Sequence, residues 1–312
     1  MTTRPAIGSF AELLEAARKL PRKRIVTVYP SNRETFEAVA DAAQRLPTDH
    51  RLLGQRAVIE EGLQRAGLSA RQVTIIECQE PEDAVRSAVD LARAGEADLL
   101  MKGSVDTARL MRGVLDRDRG LRTGELLSDV FLFEYPARAD RKFMMITDGG
   151  VTVAPGLQEK VQLIRNAVTV AHALGNARPN VALLSATELV TASIPSTVEA
   201  AEIVTRAARG EITGCVVAGP LALDNAVSEE AAREKGITSP VAGRADILVM
   251  PSIEAANALA KSTTYFAGFR LAHVIVGARI PLLIPSRADR SDAKLLSIAL
   301  GMLMSEHLHG AQ

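Results

Sequence analysis

The chain has 312 residues, 47% apolar and 24% charged, with 37 basic side chains balanced by 37 acidic ones. Zero net charge, 3% aromatics and no Trp argue against a nucleic-acid partner, which needs a concentrated basic face and stacking rings. The length exceeds one ordinary hydrophobic core and predicts two domains, with cores built from Ala, Val, Leu and Ile.

Cys78 and Cys215 follow no metal or redox spacing, so a disulfide framework is excluded and a reducing compartment fits. Cys215 lies in the apolar run 212–218 and reads as a buried structural thiol. Residues 1–7 carry no signal region, and no apolar run approaches the roughly 18 residues of a membrane span. A cytoplasmic protein with no membrane partner is expected.

In chain order, 24–29 (RIVTVY) reads as a strand and 33–46 as a helix. A strand at 73–77 precedes a helix at 81–94 with Pro81 in its first turn. The strand 97–101 empties into Lys102-Gly103-Ser104, and a helix begins near Val105. The strand 143–147 ends at Asp148-Gly149-Gly150, and a helix spans 156–174 with Leu157, Val161, Ile164, Val168 and Ala171 on one broad face. Further strands are expected at 181–185, 214–218, 247–250, 272–276 and 282–284, with helices at 196–208, 253–260 and 289–307. Short apolar strands separated by helices indicate an α/β fold with a largely parallel sheet covered on both faces. No repeat or low-complexity linker marks a domain boundary, and the cluster 116–124 is the best candidate for a crossover.

Open α/β sheets bind ligands beyond the carboxyl ends of their strands. The segments to weigh are therefore Lys102-Gly103-Ser104, Asp148-Gly149-Gly150, Ser185–Glu188, 219–225 and Pro285-Ser286-Arg287. The last follows an apolar strand and precedes a helix, whose N-terminus suits an oxyanion. Ser286 adds a hydroxyl donor and Arg287 a planar fork for phosphate. The plainer alternative is a helix cap beside a solvated arginine. Arg109, Arg112, Arg117, Arg119 and Arg122 are mostly solvent-facing charges; Arg112 and Arg122 are the two best placed to face a ligand. Asp224 is either a helix cap or a site residue, and Asp148 a turn-former or a site residue. No phosphate loop, dinucleotide fingerprint or nucleophile elbow occurs, and the five histidines suggest no ligand set. A metal enzyme, kinase or serine hydrolase is disfavoured.

Several ordered blocks carry a resemblance: Gly219-Pro-Leu-Ala-Leu-Asp-Asn-Ala-Val-Ser228, Lys235-Gly-Ile, Val241-Ala-Gly-Arg-Ala-Asp, Ile253-Glu-Ala-Ala-Asn257 and Pro285-Ser-Arg-Ala-Asp289. Met101-Lys-Gly, Leu121-Arg-Thr-Gly124 and Ile146-Thr-Asp148 extend it. Over roughly 99–303 the chain resembles the phosphate acetyl/butyryltransferases, the butyryl branch most closely. The resemblance implies two α/β domains with a cleft between them, isocitrate/isopropylmalate dehydrogenase-like. One domain is discontinuous, 1–123 with 276–312; the other, 124–275, carries a homodimer contact.

The implied reaction interconverts acyl-CoA plus inorganic phosphate with acyl phosphate plus CoA, most readily butyryl or acetyl. Coenzyme A is a substrate; no metal and no tightly bound cofactor is implied. The resemblance assigns Ser286 to the tetrahedral state and Arg287 to the phosphate, with Arg112 the second phosphate-binding residue. Arg122, Asp148, Asp224 and Asn225 join as substrate-binding candidates. The acetyl branch places its base seven residues beyond the serine, where Ala293 stands; Asp292, one residue short, is taken as the base, with Asp289 as the alternative. Ser252, Ala256 and Gly156 also depart from the usual Asp, Gly and acidic residue. Two other readings remain on the same resemblance: an acyl-phosphate synthase acting on acyl carrier protein, and a non-catalytic acyl-CoA-binding paralogue.

Overall fold

The computed structural model describes residues 6–138, 143–286 and 291–310. In chain order the elements begin α1 (Phe10–Arg18), β1 (Lys23–Val28), α2 (Arg33–Arg45), β2 (Thr48–Gly54), α3 (Arg56–Arg65), β3 (Thr74–Glu77), α4 (Pro81–Arg93), β4 (Leu99–Lys102) and α5 (Thr107–Val114). They continue with β5 (Ser128–Glu134), β6 (Phe143–Thr147), α6 (Leu157–Ala173), β7 (Asn180–Leu184), α7 (Pro195–Ala208), β8 (Val216–Leu221), α8 (Leu223–Val227) and α9 (Glu229–Glu234). The last are β9 (Ile247–Val249), α10 (Ile253–Tyr265), β10 (Leu271–Val276), β11 (Leu282–Leu283) and α11 (Ser291–Gly310).

Local chemistry explains many of these boundaries. Asn32 caps α2 by accepting the Thr35 N–H at 2.8 Å, and Pro81 opens α4, where a missing N–H costs nothing. Every residue of β4 is buried, as expected for a strand covered on both faces. The sequence pattern missed α1, β2, α3 and β5. β2 reads TDHRLLG and β5 reads SDVFLFE, each with polar residues that turn out to be buried. Cys215 is half-buried and lies just ahead of β8, so it is less deeply placed than its apolar neighbours suggest.

Contacts divide the chain into two units. The first comprises Phe10–Glu125 and Ala272–Gln312, the second Met1–Ser9 and Leu126–Leu271. The boundary at 125 follows directly on the 116–124 cluster. The stretch ahead of α1 differs from the sequence expectation: the Ile7 N–H bonds to Leu174 O at 2.8 Å, which places it with the second unit.

In the first unit the strands lie in the order β3-β2-β1-β4-β11-β10. Pairing is parallel from β3 to β11, and β10 runs antiparallel to β11. α11 packs against α1 and α2, whereas α5 packs against α4. In the second unit the order is β5-β6-β9-β7-β8, with only β5–β6 antiparallel. Its core includes Met144, Ile146, Ala182, Leu184 and Leu248, with Phe133 stacked on Phe269 at 6.1 Å between ring centroids. Among the described residues, no helix is long and apolar enough to cross a membrane.

Candidate functional site

The first unit presents the exits of β1, β4 and β11 side by side. Leu282 and Leu283 of β11 pair with Leu100 and Met101 of β4. Ser286 stands three residues beyond the last residue of β11. Ser286 is half-buried and follows the buried Pro285. Asp292 lies in the first turn of α11, half-buried, where a negative charge is favoured by the helix dipole. Its Oδ1 accepts the Ala293 N–H at 3.0 Å. Arg287 and Asp289, also singled out from the sequence, lie outside the described residues.

Arg112 is exposed in the last turn of α5. With Arg86, Arg109, Arg119, Val85 and Val89 it lines a groove of about 320 Å³ between α4 and α5. Arg109 is engaged there by Glu82 at 3.0 Å and by Asp106 at 3.3 Å, while Arg112 has no ion-pair partner among the described residues. The exposed Arg122 sits in a loop held by its backbone: Leu121 O accepts the Arg279 N–H at 2.9 Å, and Thr123 Oγ1 donates to Gly277 O at 2.6 Å. Arg122 itself bridges to Ala278.

The remaining candidates belong to the second unit and fall into two places. Asp148 directly follows β6 and is 2% exposed. Its Oδ1 accepts N–H groups of Asp129 (3.1 Å), Gly150 (2.9 Å) and Val151 (3.1 Å), and its Oδ2 that of Thr152 (2.9 Å). Burial pushes the carboxyl pKa up, Gly150 opposes this by hydrogen bonding, and the Asp129 charge adds to the rise. A carboxylate so enclosed closes its own turn. These contacts are the ones expected of a turn-former at the exit of β6.

Asp224 lies inside the first turn of α8 rather than capping it, since the cap position is Ala222. It is paired with Lys235 Nζ at 3.0 Å, and that hydrogen bond holds its carboxyl below the usual range. Asn225 is fully buried: its Nδ2 donates to Glu188 Oε2 at 3.1 Å, and its Oδ1 has no partner. Lys235 also lies 3.6 Å from Glu188, completing a four-residue cluster at the exits of β7 and β8. β9 and β7 stand between β6 and β8. At about 4.8 Å per strand, Asp148 and Asp224 are therefore not brought together. Glu188 entered the sequence reading only as the end of a strand-exit segment and Lys235 only within a motif; folding places both against Asp224 and Asn225.

The three departures from the family pattern are absorbed locally. Ser252 caps α10, accepting the Ala255 N–H as an aspartate would. Gly156 begins α6 with its N–H bonded to Glu159 Oε2 at 2.7 Å. Ala256 is buried, and a side chain at Gly149 would come within 3.3 Å of its carbonyl carbon.

The chain is of the open α/β class, whose ligand sites lie beyond the carboxyl ends of the parallel strands, where Ser286 follows β11. The particular family is shown by comparison: the chain belongs to the phosphate acetyl/butaryl transferase family, whose profile matches residues 70–302. It is 40% identical over 297 residues to the phosphate butyryltransferase of Clostridium beijerinckii, covering 95% of this chain and 98% of that one. It is 39% identical over 305 residues to the phosphate acetyltransferase of Rhizobium meliloti, covering 98% and 96% respectively. Among solved structures, a branched-chain phosphotransacylase from Enterococcus faecalis V583 superposes with a TM-score of 0.80 at 29% identity, covering 91% of this chain and 99% of that one. The likeness thus reaches well ahead of residue 99, where the sequence motifs begin.

Proposed function

We propose that this protein moves a short acyl group, butyryl or acetyl, between coenzyme A and inorganic phosphate. The observation that carries the reading is the family match across three-quarters of the chain, together with relatives of both acyl classes at about 40% identity. In the direction of thioester synthesis, Asp292 takes the proton of the CoA thiol. A thiol of pKa near about 8.5 is mostly protonated at neutral pH, so a base at this point raises the thiolate fraction. The thiolate attacks the carbonyl carbon of the acyl phosphate. Ser286 donates to the oxygen as it becomes negative, and Arg287 holds the phosphoryl group through two nitrogens. The tetrahedral state then collapses, expelling phosphate and leaving acyl-CoA.

Several placements support these roles. Ser286 lies just beyond β11, the strand paired with β4, and Asp292 is half-buried in the first turn of α11. Arg112, exposed and without an ion pair among the described residues, and Arg122 remain available for substrate phosphates. Coenzyme A serves as substrate, with no tightly held cofactor. A cytoplasmic homodimer formed through the second unit, on an isocitrate dehydrogenase-like fold, belongs to the same reading. Its support is the apolar surface of that unit, where Leu189 is 68% and Phe266 92% exposed.

The test is phosphate-dependent CoA release across acetyl-, propionyl-, butyryl- and isobutyryl-CoA. Turnover with one or more of these, and a collapse of turnover in Arg287→Ala with the fold intact, is the expected result. Binding of acyl-CoA without any phosphate-dependent release would sink the reading.

A further inference from the structure

The loop that leaves β7 puts aliphatic side chains into water and holds them there. Leu189 and Val190, consecutive in the chain, are 68% and 58% exposed and follow directly on Glu188. Scattered exposed aliphatics are ordinary, whereas several gathered on one face mark a contact surface. Two more adjoin this pair. Leu223 (42% exposed) opens α8 immediately before Asp224, and Val198 (45% exposed) lies in the first turn of α7.

Contacts within the second unit tie these residues into one surface. β7 and β8 pair in parallel, so their exits lie at the same end of the sheet. There Lys235 Nζ stands 3.0 Å from Asp224 Oδ2 and 3.6 Å from Glu188 Oε2, and Asn225 Nδ2 donates to Glu188 Oε2 at 3.1 Å. Leu189 and Leu223, the chain neighbours of the two carboxylates, are thereby drawn together. On the other flank, Thr197 Oγ1 accepts the Thr191 N–H at 2.9 Å and donates to Ile194 O at 2.7 Å. The first of these bonds places Val190 and Val198 next to its two ends.

The loop is also braced from beneath. Thr187 Oγ1 accepts the Leu189 N–H at 3.2 Å, and the Ser185 and Ser196 hydroxyls share a hydrogen bond of 2.8 Å. A segment cross-linked in this way has little freedom left to lose when a partner covers it, which keeps the ordering cost of association low.

Charge indicates which partner fits. The Asp224 and Lys235 side chains are themselves 53% and 35% exposed, so both signs edge the aliphatic face. A two-fold contact sets a patch against its own copy and therefore requires a self-complementary patch. An aliphatic centre with one acid and one base at its rim meets that requirement. Across the whole chain 37 basic side chains balance 37 acidic ones, so no net charge opposes the approach of two copies.

We propose that two copies of this chain associate through the β7 and β8 exits of the second unit. Leu189, Val190, Val198 and Leu223 form the centre of the contact, and Lys235 of one protomer faces Asp224 of its partner at the rim. The inference rests on the homodimer reading and selects one of the apolar exposures of that unit, the chief rival being Tyr265 and Phe266 at the end of α10.

Sedimentation velocity over a concentration series tests this on the full chain, with circular dichroism as the check on folding. The forms compared are wild type, Leu189→Ser/Val190→Ser, Leu223→Ser and Tyr265→Ser/Phe266→Ser. Wild type is expected to be dimeric. Leu189→Ser/Val190→Ser raises the dimer dissociation constant about 100-fold or more and Leu223→Ser about tenfold, while the α10 pair shifts it by less than about threefold. Should the Leu189/Val190 variant fail to fold, Leu223→Ser decides alone. A dimer that ignores the folded β7 and β8 variants, or that only the α10 substitutions dissolve, overturns this surface and leaves the homodimer standing. A wild type that stays monomeric at every concentration overturns the homodimer and the surface together.

Discussion

Asp98 receives three N–H groups from Arg24 alone: the backbone N at 2.7 Å, Nε at 3.0 Å and Nη2 at 2.8 Å. This pair clamps β1 to β4 at the amino end of the strands, opposite the Ser31–Ser104 contact at the carboxyl end. Burial of the Asp98 carboxyl raises its pKa, but the hydrogen bonds and charge of Arg24 outweigh that and leave it below the usual value. Because the folded pKa is depressed, the stabilisation is complete above the unfolded value of about 4 and fades as pH falls below it. Arg24 is itself 38% exposed, so screening limits the pair, and Asp98→Asn should cost about 1–2 kcal/mol at pH 7. Urea unfolding at pH 7 and pH 3 checks this: the gap between variant and wild type should narrow at the lower pH.

His50 predicts a second, higher window. It is buried in β2 with Nε2 2.9 Å from Thr48 Oγ1, and desolvation lowers its pKa to about 4. The unfolded imidazole binds its proton near about 6.5, so stability is full above that value and declines as pH falls toward 4. The loss amounts to roughly 3 kcal/mol across the window. Denaturation midpoints measured from pH 7 to pH 4 should fall in wild type and flatten in His50→Gln; an equal slope in both would assign the decline to other groups.

Ser286→Ala should lower kcat by about 100-fold while leaving the melting temperature within a few degrees, because one donor to a developing oxyanion is removed from a half-buried position. Acyl-CoA affinity should change little. A variant with unaltered kcat would move the oxyanion role elsewhere.

Asp292→Asn tests the base. Loss of a general base costs about 10²–10⁴ in rate. The double substitution Asp292→Asn/Ala293→Asp shifts the carboxyl one position along α11, to where the acetyl branch carries it. Partial recovery of rate in that variant is expected, and full activity in Asp292→Asn alone would exclude the role.

The second-unit cluster offers a further check. Asn225 is fully buried and bonded to Glu188, so Asn225→Ala should destabilise the protein by about 1–3 kcal/mol by removing a buried hydrogen bond to that carboxylate. A thermal melt showing no shift would make the contact energetically idle.

The parallel α/β pattern was legible because short runs such as 24–29 and 143–147 are largely buried and alternate with one-sided helices. The edges were less so: β2 and β5 hide behind Asp49, His50 and Asp129, residues whose polarity masks a strand until tertiary partners satisfy them. Serine at 286 and an acid at 292 were visible as residue types after an apolar run, and Asp148 was visible as a turn-former or a ligand. Only folding showed that its oxygens are wrapped in four backbone N–H groups. Likewise, no local pattern joins Ser31 to Ser104 or Glu188 to Asn225. The 73 positions separating the first pair are closed by strand order, a long-range property that short-range periodicity does not encode. Composition and spacing thus determined the class of fold and the kinds of side chain at its strand exits. Which of those exits became neighbours, and which carboxylates were left facing solvent, was settled by the sheet topology, because pairing register alone brings distant segments within hydrogen-bonding reach.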